Sequence, residues 1–117
     1  MQLNHLDLSV PDLAAAVAFF DSGFGFKLVN SFGDDMRIMV GEGRFVLALT
    51  RCAEPQYPKS FHIGFLQPSA EAVTEAYQGL LAAGIEVPAP PGQMYGAFLF
   101  HCRVPGGVLV EVSYRPG

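Results

Sequence analysis

The chain has 117 residues, 50% hydrophobic and 15% charged, with seven basic against eleven acidic side chains and a formal net charge of −4. The apolar content excludes a disordered chain, and the acidic balance argues against nucleic acid or an anionic membrane as partner, because both require a basic surface. No apolar run approaches the roughly 20 residues that span a bilayer, and the first residues lack a signal-peptide pattern. We therefore expect one small cytoplasmic domain that handles a small molecule.

The first half of the chain predicts a strand, a helix and three further strands. An alternating run over 4–10 is followed by Pro11 and the potential N-cap Asp12, and then by apolar residues at helical spacing over 13–20. Glycines 23 and 25 are typical of a helix end. The remaining strands are predicted at 26–29, 36–40 and 44–50, the last two around a glycine turn.

The second half repeats this pattern. A strand is predicted at 61–66, a helix capped by Ser69 at 70–81, a short strand at 85–87, and longer strands at 97–103 and 108–114. We therefore predict a single α+β domain over 1–117, built from two tandem βαβββ modules (1–51 and 60–117) with a polar linker at 52–59. Each module is too small to be stable alone, so the two must share a sheet or pair with a second chain.

Metal-ligating side chains occur at matched places in the repeat. His5 and His62 begin equivalent strands, and superposing the last strands places Ala48 opposite Glu111. If a pseudo-twofold axis relates the modules, these positions face one another. Two imidazoles and one carboxylate then form a site that leaves coordination positions open for water and substrate. Each residue alone has a simpler structural explanation, but their matched positions favour a metal site.

These motifs carry a family resemblance. In the first half of the chain the resemblance rests on residues 3–13, 18–20 and 23–26. In the second half it rests on residues 61–65, Tyr95-Gly96, Pro105, Gly107 and Glu111. With these motifs the chain resembles the vicinal oxygen chelate superfamily, which contains glyoxalase I, extradiol dioxygenases, and fosfomycin- and bleomycin-resistance proteins. The resemblance implies a cupped mixed sheet around one divalent ion (Mn, Fe, Ni, Zn or Co) bound by His5, His62 and Glu111. It also implies a homodimer, in which modules exchanged between chains bring His5 to the partner's His62 and Glu111.

Departures from the family narrow the expected activity. Glyoxalase I enzymes usually carry a glutamate ligand where this chain has Ala48, which disfavours lactoylglutathione lyase activity. Residues 86–102 contain no Lys, Arg, Ser or Thr, so a phosphonate dianion such as fosfomycin is also disfavoured.

The expected substrate pocket is apolar, although each of its residues is equally suited to a sheet core. Its predicted lining is Met36, Met39, Phe45, Met94, Phe98, Phe100 and Arg103. Tyr95 and His101 are the nearest candidates for a general acid or base. Strand alternation separates His101 and Arg103 from Phe98 and Phe100, which predicts an outer-surface position for the first two.

The sequence therefore predicts a metal-dependent lyase, dioxygenase or transferase that acts on a small, mostly apolar, oxygenated substrate. The alternative is a non-catalytic protein that binds a small molecule or antibiotic, as bleomycin-resistance relatives do. A third interpretation, a degenerate structural module, requires His5 and His62 to match by accident.

Overall fold

The computed structural model describes all residues, 1–117. The chain forms two compact units, Met1–Tyr57 with Val104–Gly107 and Pro58–Arg103 with Val108–Gly117. Each unit contains one helix and one four-stranded mixed sheet. The predicted pair of βαβββ modules is confirmed.

The first unit begins with β1 (His5–Val10) and α1 (Leu13–Phe24), followed by β2 (Lys27–Phe32), β3 (Met36–Val40), a 3₁₀ turn (Glu42–Arg44) and β4 (Val46–Arg51). The strand order is β1-β4-β3-β2, with β1 parallel to β4 and the other pairs antiparallel.

Capping fixes both ends of α1. The Asp12 side chain accepts a hydrogen bond from the Ala15 backbone N–H at 3.0 Å, and the helix ends at Gly25, whose φ of 72° lies in the left-handed region. The predicted start and stop signals of this helix are both confirmed.

The core of the first unit lies on one face of its sheet. The fully buried residues on that face are Leu8, Val10, Met39, Leu47 and Leu49, with Phe19 and Phe20 contributed by α1. The Phe20 ring packs edge-on against Phe26, with centroids 5.6 Å apart. Because side chains alternate along a strand, His5 and Asp7 project from the face that α1 leaves open.

The second unit has the same plan. It contains β5 (His62–Leu66), α2 (Ala70–Ala82), β6 (Gly92–Met94), β7 (Ala97–Arg103) and β8 (Leu109–Tyr114), in the order β5-β8-β7-β6. Ser69 caps α2 by accepting from the Ala72 backbone N–H at 3.1 Å. The α2 residue Tyr77 packs edge-on against Phe100, which places the helix on the face of Phe100, Cys102, Val110 and Val112.

One predicted strand is wrong. Residues 85–87 form no strand, and the edge strand of the second sheet is Gly92–Met94 instead. The Ile85 N–H donates to the Leu80 carbonyl at the end of α2 and is therefore not available to a neighbouring strand. The prolines at 88, 90 and 91 have no N–H to donate to such a strand. Pairing with β7 therefore begins only after the last of these prolines. Neither helix has the length and apolar character needed to cross a membrane.

Candidate functional site

The open face of the second sheet carries a carboxylate surrounded by nitrogen donors. In the strand register Gly64 lies opposite Glu111 on β5, and His101 lies opposite it on β7. His62, two residues before Gly64, projects from the same face. Any side chain at Gly64 would lie beside Glu111, so glycine keeps the space between His62 and Glu111 open.

Glu111 has a partner at each carboxylate oxygen. His101 Nε2 lies 3.2 Å from Oε1, and Arg115 Nη2 lies 3.8 Å from Oε2. The Glu111 side chain is only 13% exposed, against 32% for His101 and 51% for Arg115. A charged carboxylate at this depth is costly unless it is paired, and these two groups provide the compensation. Each contact uses part of the oxygen's capacity and leaves lone pairs for a cation.

His62 is held in one ring orientation. Its Nδ1 lies 2.9 Å from the Ser60 carbonyl oxygen. Because a carbonyl only accepts, Nδ1 must carry the hydrogen, and in the neutral ring Nε2 then has a free lone pair. A backbone carbonyl on the distal nitrogen is the usual arrangement behind a metal-ligating histidine.

A cavity of about 260 Å³ opens beside this cluster. Its wall is formed by the proline-rich segment after α2, by β6 and by part of β7: Pro88, Ala89, Pro90, Gly92, Gln93, Met94, Leu99, Phe100 and His101. Most of these groups are apolar, and His101 links the wall to the Glu111 carboxylate. The cavity therefore suits the apolar part of a small ligand whose polar part lies towards Glu111.

The open face of the first sheet carries a separate polar group. His5, Asp7 and Ser9 alternate along β1, in register with Val46, Ala48 and Thr50 of β4. The Thr50 hydroxyl donates to Asp7 Oδ1 at 2.8 Å. The Tyr57 hydroxyl accepts from the Ser9 N–H at 2.8 Å and donates to its carbonyl at 3.1 Å, which fixes the segment after β4 against β1.

The predicted pocket residues are distributed over several environments. In the first unit Met39 is fully buried in the core, Phe45 packs edge-on against Phe26, and only Met36 lies on the open face, half-buried.

In the second unit Met94 and Phe100 line the cavity, although Phe100 also packs under α2. Phe98 lies half-buried on the α2 face, and Arg103 is exposed. Tyr95 is 89% exposed in the turn between β6 and β7. His101 lies on the sheet face opposite Phe98 and Phe100, as strand alternation predicts, and this open face also bears Glu111 and the cavity.

The three predicted metal ligands are divided between the units. Glu111 and His62 share the open face of the second sheet, and His5 belongs to the first unit. Within the single chain, no three His, Cys, Asp or Glu side chains lie close enough together to hold a metal ion.

Three site residues escaped the sequence analysis. Arg115 follows the last strand, four residues after Glu111, so alternation alone could have found it. Strand alternation could also have found Asp7, because it lies two residues after His5 and therefore on the same face of the sheet. The Thr50 contact depends on the register of β1 with β4, which no local pattern gives.

The fold and the open faces define a class of protein. A βαβββ module occurs twice, and each copy presents a histidine from its first strand on the sheet face that its helix leaves open, which is the organisation of glyoxalase-type proteins. The sequence pattern of the Glyoxalase/Bleomycin resistance protein/Dioxygenase superfamily matches residues 2–112, and the chain belongs to this superfamily.

Individual relatives support this assignment. A Bacillus cereus structure described as a possible glyoxalase is 38% identical, with a TM-score of 0.83 over 96% of this chain and 97% of that one. The Pseudomonas aeruginosa protein PA2024, described as uncharacterized, is 32% identical over 96% of this chain and 87% of its own length. A lactoylglutathione lyase from Agrobacterium tumefaciens is 21% identical, with a TM-score of 0.76 over 97% of this chain and 92% of that one, and shows the fold alone.

Proposed function

We propose that the chain is a divalent-metal-dependent enzyme that acts on a small, mostly apolar, oxygenated substrate. In a pair of chains with exchanged modules, its ligands are His5 of one chain with His62 and Glu111 of the other, and its metal is one Mn, Fe, Ni, Zn or Co ion. The observation that carries the proposal is the open face of the second sheet, where a partnered Glu111 and an oriented His62 lie on one side of the sheet, beside an apolar cavity.

The chain's own residues supply binding, orientation and proton transfer. His101 and Arg115 hold the Glu111 carboxylate in place, and the Ser60 carbonyl does the same for the His62 ring. The apolar wall of the cavity binds the apolar part of the substrate. His101 lines that cavity and is the candidate proton-transfer group. A bound divalent ion supplies Lewis-acid polarisation of a substrate oxygen or oxygen activation, which suits a lyase, a dioxygenase or a transferase.

The working form in this proposal is a cytoplasmic homodimer. Both cysteines are free, which fits a reducing compartment. The edge strand β2 exposes Leu28, Val29 and Phe32, an apolar surface that a second copy of the chain would cover. Light scattering coupled to size exclusion measures the mass directly, and a monomer at micromolar concentration contradicts this part of the proposal.

The deciding experiment is metal loading of protein purified without a histidine tag. The apoprotein is titrated calorimetrically with Mn²⁺, Fe²⁺, Co²⁺, Ni²⁺ and Zn²⁺, and elemental analysis gives the stoichiometry. We expect stoichiometric binding of at least one ion, lost in His62→Ala and Glu111→Gln and retained in Glu75→Gln, which changes an exposed carboxylate on α2. A wild-type protein that binds none of the five ions overturns the proposal.

The apolar cavity also favours a second candidate, a protein that sequesters a small apolar molecule or antibiotic. The two functions differ in one measurement. Stoichiometric binding of an aromatic ligand to metal-free protein, unaffected by Glu111→Gln and without turnover, supports sequestration. Binding or turnover that requires the metal supports the enzyme.

A further inference from the structure

The two modules differ in how far the edge strand covers its neighbour. In the first module β2 pairs with the whole of β3, residues 36–40. In the second module β6 has three residues and pairs only with residues 97–99, although β7 continues to Arg103. The outer edge of β7 is therefore uncovered over residues 100–103.

The turn between β6 and β7 fixes the direction of the backbone groups on this edge. Tyr95 and Gly96 form a two-residue turn with positive φ at both positions. In such a hairpin the residues on either side of the turn, here Met94 and Ala97, form a hydrogen-bonded pair. The N–H and C=O of Ala97 therefore face β6.

The alternation of the ladder carries this pattern along β7. Hydrogen-bonded pairs recur at every second residue, so the backbone of Leu99 faces Gly92 of β6, whereas that of Phe100 faces Val112 of β8. His101 is the next residue in the first series, and its N–H and C=O point outwards, beyond the end of β6. No other group of the protein hydrogen-bonds to them there.

The cavity beside the Glu111 cluster lies on this side of β7. Its wall includes β6 and the segment 88–90, which lie beyond the outer edge of β7, together with His101 itself. The prolines at 88 and 90 have no N–H, so they cannot donate to the His101 carbonyl. His101 is half-buried beside an apolar wall, where an unpaired N–H and C=O are costly. A ligand with an acceptor and a donor on one edge removes this cost.

We propose that the substrate carries a peptide-like group that adds to the outer edge of β7 at His101. An extended amino-acid residue presents its N–H and C=O on one side, and this pair complements the N–H and C=O of His101. The apolar wall then binds the rest of the molecule. The proposal rests on the proposed function and deepens it, because it names the substrate class of the same cavity: an N-acylated derivative of an apolar amino acid.

Two matched probes test the pairing on the wild-type protein. N-acetyl-L-leucine methylamide and its ester analogue, in which oxygen replaces the leucine N–H, are titrated into ¹⁵N-labelled protein in the presence of EDTA. We expect the amide to bind about three- to tenfold more tightly, because the ester leaves the His101 carbonyl without a donor. Equal affinities, or no binding of either probe, overturn the proposal.

Hydrogen exchange locates the contact. In the free protein the Phe100 N–H should be protected by β8, and the His101 N–H should exchange rapidly. A saturating concentration of the amide probe should slow exchange at His101, and unchanged exchange there overturns the proposal.

A pair of variants separates the backbone of His101 from its side chain. His101→Pro removes the side chain and the N–H, and His101→Ala removes the side chain alone. We expect the amide probe to bind His101→Pro at least about threefold more weakly than His101→Ala, with circular dichroism showing that both are folded. Equal binding to the two folded variants overturns the proposal, and the two wild-type measurements decide if His101→Pro does not fold.

Metal titration of the same protein distinguishes this inference from the proposed function. Stoichiometric metal binding without selectivity for the amide overturns the peptide-like substrate and leaves the metal-dependent enzyme. Selective amide binding by a protein that binds none of the five ions supports the peptide-like ligand and overturns the enzyme.

Discussion

The two side chains that contact the Glu111 carboxylate should differ strongly in their contributions to the free energy of unfolding. His101 Nε2 lies 3.2 Å from one Glu111 oxygen and both side chains are largely shielded from water. Arg115 lies 3.8 Å from the other oxygen, and its side chain is half-exposed. We expect the His101 contact to dominate, although arginine always carries a full charge.

The magnitudes follow from distance and exposure. A hydrogen bond to a charged group contributes about 1.5–3 kcal/mol when well shielded, and partial exposure of His101 reduces this to about 1 kcal/mol. An exposed pair at the longer separation contributes less than about 0.5 kcal/mol. In the free energy of unfolding of the metal-free protein, the coupling between His101 and Glu111 should therefore be at least about twice the coupling between Arg115 and Glu111.

A pair of double-mutant cycles measures both couplings. His101→Ala, Arg115→Ala and Glu111→Ala are made singly and in the two combinations, and urea unfolding is followed in the presence of EDTA. The comparison of the two cycles cancels the cost of truncating Glu111, which is common to both. Coupling to Arg115 equal to or larger than coupling to His101 would refute the reasoning.

Two further predictions concern single residues of the second unit and the linker. Burial raises the pKa of the Cys102 thiol to about 11. In the native protein at pH 8 only the half-buried Cys52 should therefore react with a thiol reagent, and both cysteines should react after denaturation. Rapid labelling of Cys102 in the native protein would contradict this prediction. Tyr95 and Gly96 form a two-residue hairpin turn with φ of 50° and 77°, a conformation that disfavours tyrosine. Tyr95→Asn should raise the free energy of unfolding by about 0.5–1 kcal/mol, and Gly96→Ala should lower it. Urea unfolding measures both changes, and an unchanged urea midpoint for Tyr95→Asn would show that the turn is not strained.

The sequence by itself determined the modular plan. The alternating runs, the N-caps Asp12 and Ser69, and the glycines after each helix are local signals, because capping and side-chain alternation act within a few residues. The repeat also gave His5 and His62 equivalent positions on the two first strands, and matched Glu111 with Ala48 on the two last strands. The strand predicted at 85–87 does not form, because the prolines after α2 cannot donate to a neighbouring strand and the edge strand begins only at Gly92.

Only the tertiary structure decided which chemical groups meet. The hydrogen bond of His101 to Glu111, the choice of the face that α2 covers, and the register that sets Asp7 beside Ala48 depend on pairing between strands far apart in the chain. A shift of one residue in any of these registers would turn each side chain to the opposite face, and no local preference distinguishes the two arrangements. Burial of apolar residues against each helix fixes the register, and through it the polar composition of each open face.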